Sequence, residues 1–254
     1  MSVEKIRLLN IDIDNWTFDD FLQSLQDGIV FTPNVDHLIK LQKDEAFYRC
    51  YEQADHVVCD SRILLMLSKI FFKENPIKAQ IAGSDLFPAF CRLHANNDGV
   101  YKIFLLGGSA ESVKVAQKNI NAACGGEIVV DGYSPPFGFE KDEHQNNKIL
   151  ELVKTSGANV LAVGVGAPKQ EKWICANREK MPNIRIFFAI GATIEFEAGA
   201  LNRAPKWMTR AGIEWLYRLG QEPGRLFKRY ILEDLPIFWM LLKQKFGRYK
   251  NPFA

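Results

Sequence analysis

A parallel β-sheet covered by helices on both faces is the fold class this 254-residue sequence predicts. Three observations carry it. Short apolar runs recur along the chain, each leads into a helical pattern of about 10–15 residues, and the turns between run and helix hold Gly, Asp, Asn or Pro. Continuous rather than alternating apolar runs mark strands buried on both sides, as in an α/β sheet.

The elements follow in order. Residues 29–31 (I-V-F) form the first run, close on Thr32-Pro33-Asn34 and precede a helix carrying Val35, Leu38 and Ile39. Residues 55–59 (D-H-V-V-C) lead into a helix near 61–72, and residues 102–106 into one near 110–123. Residues 127–130 end at a loop spanning 131–138, with a helix near 142–155 beyond it. Residues 160–165 pass through Gly166, Ala167 and Pro168 to a helix at 170–180, and residues 184–190 end at Gly191. After about Ala204 the strand signal stops and the pattern turns helical, punctuated by Pro205, Pro223 and Pro236. The expected organisation is therefore an α/β domain over 1–203 and a helical C-terminal appendage over 204–254.

Composition narrows the class. With 47% hydrophobic and 24% charged residues the chain reads as a soluble globular protein, and disordered, collagen-like and low-complexity classes are excluded. Cys50, Cys59, Cys91, Cys124 and Cys175 are odd in number, spread out and form no C-x-x-C pair, which favours reduced thiols in a cytosol. No export signal is expected at the N-terminus. No apolar stretch approaches the roughly 18–20 residues that span a bilayer, so membrane contact would be peripheral. The net charge of +2 gives no reason to expect a nucleic-acid partner. The charge is uneven, however. From Arg203 to Lys250 eleven basic residues face four acidic ones, a local charge of +7 that leaves −5 on the rest, and Trp207, Trp215 and Trp239 lie in that segment. Basic residues mixed with aromatics on helices suit an anionic membrane surface as well as a plain solvated face.

In parallel α/β sheets ligands bind outside the carboxyl ends of the strands, so residues just after each run are the functional candidates. Gly107-Gly108-Ser109 follows I-F-L-L and opens a helix, which makes an anion site from backbone N–H groups and the positive helix end. The dinucleotide fingerprint lacks its third glycine, which disfavours a nicotinamide cofactor. Asp60 stands directly after Val57, Val58 and Cys59, placed either as a helix N-cap or as a general base, although a helix N-terminus stabilises its anion and lowers its basicity. Asn34 fits a helix N-cap better than a ligand contact. In Gly164-Val165-Gly166-Ala167-Pro168-Lys169-Gln170, small residues permit close approach of a ligand and Gln170 is placed to face the cleft. Asp12-Ile13-Asp14 has the look of a metal-holding D-x-D, but its alternation puts both carboxylates on the solvent side of a strand. The four histidines lack zinc spacing, and no metal site is expected.

Taken together, several blocks resemble the WecG/TagA/CpsF family of bacterial glycosyltransferases over nearly the whole chain. They are T-P-N-V-D-H-L (32–38), A-D-H-V-V-C-D-S-R (54–62), A-G-S-D-L (82–86), F-L-L-G-G-S (104–109), G-Y-S-P-P-F (132–137), G-V-G-A-P-K-Q-E-K-W (164–173) and R-A-P-K-W-M…G-I-E-W-L-Y-R-L…E-P-G-R (203–225). The resemblance implies a Rossmann-like sheet and an inverting transferase needing neither metal nor other cofactor. It implies transfer of a hexose-type sugar from a UDP-sugar to a polyprenyl-diphosphate-linked saccharide, in the synthesis of exopolysaccharide or another cell-surface polysaccharide. The implied location is the cytoplasm, peripherally at the inner face of the cytoplasmic membrane. Asp60 matches the family's catalytic base; Thr32, Asn34 and Gln170 match polar catalytic-site positions. Gly107, Gly108 and Ser109, with Gly132, Pro136 and Gly166, fall in donor-binding segments. Arg218 and Arg225, with Arg229 as the third, match arginines that neutralise acceptor and diphosphate charge, which suits a planar guanidinium fork. One departure stands beside the base. Many members have D-G there and this chain has Asp60-Ser61-Arg62, so an N-acetylmannosamine donor is not carried over and glucose, galactose and uronic acid donors stay open. The alternative on the same scaffold is a non-catalytic nucleotide-sugar or anionic-lipid binding protein. Self-association into homo-oligomers through the appendage helices would compete with lipid for their apolar face.

Overall fold

The computed structural model describes residues 3–95, 100–205, 208, 213–221, 224 and 233–254. The chain opens with an antiparallel hairpin, β1 (Lys5–Leu8) and β2 (Ile11–Asp14). The main sheet then takes β3 (Gly28–Phe31), β4 (His56–Val57), β5 (Ile103–Gly107), β6 (Val129–Tyr133), β7 (Val160–Gly164) and β8 (Ile186–Ala189). It is parallel throughout, in the order β4-β3-β8-β7-β5-β6. The α/β sheet expected from the sequence, Rossmann-like and flanked by helices, is thus present.

The continuous apolar runs are buried on both faces as their pattern requires. Every residue of β5, β7 and β8 is buried, and their side chains divide between two cores. Phe104, Leu106, Leu161 and Val163 point into one core, while Ile103, Leu105, Val160 and Ala162 point into the other. Helices α1 (Phe18–Ser24), α2 (Val35–Lys40), α3 (Glu45–Glu52), α4 (Arg62–Phe71), α5 (Gly83–His94), α6 (Ala110–Cys124), α7 (Glu143–Thr155), α8 (Lys169–Asn177) and α9 (Thr193–Glu197) cover these faces. Side-chain caps start several of them: Asn34 accepts the His37 N–H, Asp44 the Phe47 N–H, Ser109 the Ser112 N–H and Asp142 the Gln145 N–H.

Two differences from the sequence reading have clear causes. Strand β6 runs on to Tyr133, into the stretch read as loop, because Asp131, Gly132 and Tyr133 pair with β5 after a register shift. Asp14 is not on the solvent side. It is buried, its Oδ2 accepts the Val57 N–H at 2.8 Å and Lys5 lies 3.5 Å away, whereas Asp12 is exposed beside Arg7. The end of β2 runs against the edge strand β4, so the second carboxylate of the D-x-D satisfies an edge N–H instead of facing water.

Beyond residue 204 the structure describes the helices Glu214–Gln221 and Pro236–Lys245. The second packs on the α/β unit: Ile237 and Leu241 are buried in its core. Gln244 accepts the Leu9 N–H and donates to the Arg7 carbonyl, and the Tyr249 hydroxyl donates to Gln42. At the root of the segment Arg203 bridges Asp85 and Glu197 and donates to the Ser84 carbonyl. No helix among the described residues is long and apolar enough to cross a membrane.

Candidate active site

All the strand-end candidates fall on one edge of the sheet, because six parallel strands end in adjacent turns there. Backbone bonds hold the β3 and β4 exits together: Val58 N–H donates to Phe31 O at 3.0 Å and Asp60 N–H to Pro33 O at 3.1 Å. On the far side Ile81 N–H donates to Cys59 O and Gln80 Nε2 to Asp60 O, each at 2.7 Å. Asp60 is therefore clamped between the turn that carries Thr32 and the start of α5.

Its side chain does not cap its own helix. Ser61 does so, accepting the Leu64 N–H, and the half-buried Asp60 carboxylate instead accepts the Gly83 N–H through Oδ1 at 3.3 Å. Gly83 is the first residue of α5, a twelve-residue helix whose N-cap, Ala82, has no capping side chain. Asp60 thus supplies from 23 positions away the acceptor this helix start lacks. Thr32 shares the spot, since a Cβ at Gly83 would lie 3.2 Å from Thr32 Oγ1. Asn34 holds its cap position at the start of α2, half-buried on the same edge. Arg62, the second member of the departure after Asp60, is exposed.

The neighbouring turns bring glycines into contact. Gly107 has φ +129°, and a Cβ there would collide with the Gly164 carbonyl across the β5–β7 ladder; a Cβ at Gly164 would meet Gly191 O at 2.6 Å. Three adjacent strand ends therefore meet as bare backbone. Gly108 is half-buried, its carbonyl accepting from Ser134 Oγ at 2.5 Å, and the exposed Ser109 caps α6. Gly166 and Pro136 are exposed on the same rim. Gly132 lies within β6, where a Cβ would strike Val113 Cγ1 at 2.5 Å, so packing under α6 already accounts for the missing side chain.

Gln170 is at the edge but buried, with both ends of its amide engaged: Oε1 accepts the Gly191 N–H at 3.1 Å and Nε2 donates to Glu171 Oε1 at 2.8 Å. Two carboxylates the sequence reading passed over also stand here. Glu171 is fully buried, which pushes its pKa up to about 7. Glu195 reaches to 3.2 Å from where a Gly108 Cβ would be, and burial raises its pKa as well. Both sit in the first turn of the helix that follows a strand end, the only signal that could have marked them. Arg218 lies on the helix Glu214–Gln221, and Arg225 and Arg229 lie outside the described residues.

A parallel sheet with one clamped, half-exposed carboxylate beside a row of glycine turns has the layout of an α/β enzyme that binds a substrate across its strand ends. The family model for the Glycosyl transferase WecG/TagA/CpsF family matches residues 6–251, nearly the whole chain. The chain belongs to that family and is a glycosyltransferase, an enzyme that moves a sugar from a donor to an acceptor.

Proposed function

We propose that the protein is an inverting, metal-independent hexosyltransferase. It would move a sugar from a UDP-sugar to a polyprenyl-diphosphate-linked saccharide at the inner face of the cytoplasmic membrane, for exopolysaccharide or other cell-surface polysaccharide synthesis. The observation that carries the reading is the Asp60 carboxylate, clamped at the strand edge with Oδ1 bound to Gly83 N–H. The acceptor hydroxyl attacks C1 of the donor sugar from the face opposite the diphosphate, a new C–O bond forms as the C1–diphosphate bond breaks, and the hydroxyl proton passes to Asp60. The electron pair leaves with the diphosphate, whose growing charge falls to the backbone N–H groups of the glycine turns and to Arg218, Arg225 and Arg229. Thr32 and Asn34 orient the sugar beside the base. Gln170 works from behind, holding the Gly191 turn.

Membrane docking has support in the C-terminal helix. It exposes Phe238 and Trp239, with Leu235 before it, Phe246 after it and Lys243 lying 5.6 Å over the Trp239 ring. Aromatics at the interface with cations at the headgroups are the chemistry of an amphipathic helix on anionic lipid.

The test incubates the protein, with EDTA present, with a panel of UDP-sugars and a short-chain polyprenyl-diphosphate saccharide, and follows UDP release and product mass and anomeric configuration. Transfer of one sugar with inversion is expected. Strong UDP binding without turnover across acceptors would favour the non-catalytic reading instead.

A further inference from the structure

Behind the strand edge lies a carboxylate the proposed reaction leaves unused. Glu171, in the first turn of α8, has no solvent exposure; its Oε1 accepts from Gln170 Nε2 and its Oε2 has no hydrogen-bond partner among the described residues. Titratable groups face it from each packed element. From α2 come Lys40 and Asp36, paired at 2.7 Å, with Lys40 Nζ also donating to Ala167 O in the turn before α8. From α3 come Tyr51, whose hydroxyl meets His37 Nδ1 at 2.8 Å, and Cys50; Cys175 faces it from its own helix. The Lys172–Asp44 ion pair closes the outer side.

The bonding rules of this chain are strict. An ionised carboxylate only accepts and a backbone N–H only donates. One orientation of the Gln170 amide satisfies both: NH2 toward Glu171, oxygen toward Gly191, as observed. A protonated Glu171 still accepts from Gln170 Nε2 through its carbonyl oxygen, but that bond loses its charge assistance and the amide is held less firmly. The Gly191 carbonyl packs against Gly164, which abuts Gly107, so the Gly191 turn is one wall of the glycine row.

Resting on the transferase reading above, we propose that Glu171 is a positioning residue: through Gln170 it holds the Gly191 turn in the geometry that receives the donor, and protonation of Glu171 loosens that hold. Burial brings its ionisation to about 7, so the linkage operates near neutral pH.

The test uses the full chain labelled with 15N-glycine, as wild type and as the isosteric Glu171→Gln. The Gly191 amide resonance of the wild type is expected to move with a single apparent pKa near 7 and to be silent in the variant. In turnover assays Glu171→Gln is expected to lose about tenfold in kcat/KM at pH 8, the scale of one charge-assisted hydrogen bond. It should also lose the limb of the pH profile near 7, a change that a merely structural role would not make. A Gly191 amide that ignores pH in the wild type, or titrates equally in the variant, overturns the proposal; so does a variant with the wild-type pH profile. A wild type that transfers no sugar from any donor strikes the transferase reading instead, while the Gly191 titration still decides the linkage.

Discussion

Replacing Glu171 with glutamine should stabilise the protein at pH 8 and do so only about a quarter as much at pH 5. The carboxyl titrates at about 7 in the folded protein against an ordinary 4.5, because a fully buried site disfavours its anion. Between those two values the folded chain binds more protons than the unfolded chain, so stability falls as pH rises from about 4.5 and levels off above about 7. A gap of some 2.5 units corresponds to about 3 kcal/mol at roughly 1.4 kcal/mol per unit. In a chain of this size that is roughly 6–12 °C in Tm. The amide of Glu171→Gln keeps the side-chain volume and cannot ionise, so the loss disappears. Calorimetric melting of both proteins at pH 5 and pH 8 isolates it, since groups common to both cancel in the difference. Parallel Tm–pH curves would refute the reasoning. A variant less stable than the wild type at pH 8 would show that the Lys40 ammonium holds Glu171 as a useful anion and that the sign is reversed.

Three further predictions concern the edge and the C-terminal helix. Asp60→Asn should keep UDP affinity by calorimetry while turnover falls by about two or more orders of magnitude, and near-normal turnover would remove Asp60 from the chemistry. Gly107→Ala puts a Cβ against the Gly164 carbonyl in a left-handed backbone and should lower unfolding free energy by about 1–3 kcal/mol in urea titrations; an unchanged midpoint would mean the strand ends are looser than described. The double variant Trp239→Ala, Lys243→Ala should bind anionic vesicles about tenfold or more weakly in flotation, from lost aromatic burial and about 1 kcal/mol of headgroup attraction for the lysine. Equal partitioning would place membrane contact elsewhere.

The sheet was legible because strands buried on both faces must be apolar at every position. Residues 102–106, 160–165 and 184–190 could hardly be read otherwise, and β5, β7 and β8 stand at those places. The positions of Asp60, Thr32 and Asn34 were legible for the same reason, since a parallel sheet puts all its carboxyl ends on one side. Contacts between distant segments were not legible. Alternation alone sends Asp14 to solvent, and only the packing of β2 on β4 turns it into an acceptor for Val57 N–H. Glu171 in a first helical turn reads as a dipole-favoured surface charge, and nothing local shows that α2 and α3 close over it. The burial of Ile237 and Leu241 escaped for the same cause: an apolar stripe does not say which surface covers it.

The division of labour between Asp60 and Ser61 bears on the base itself. A strand-end aspartate followed directly by a helix ordinarily caps that helix, and its oxygens are then turned back onto their own backbone. Here Ser61 takes the cap at Leu64 N–H, so the Asp60 side chain turns toward the start of α5. The clamp on its backbone is independent of that choice, coming from Pro33 O and Gln80 Nε2. Ser61 at the cap therefore leaves the Asp60 carboxylate to the start of α5. A glycine at 61 would keep most of the cap's stability, because glycine is a tolerable N-cap residue, but would return the choice of partner to Asp60. On this argument Ser61 affects the orientation of the base more than the stability of α4.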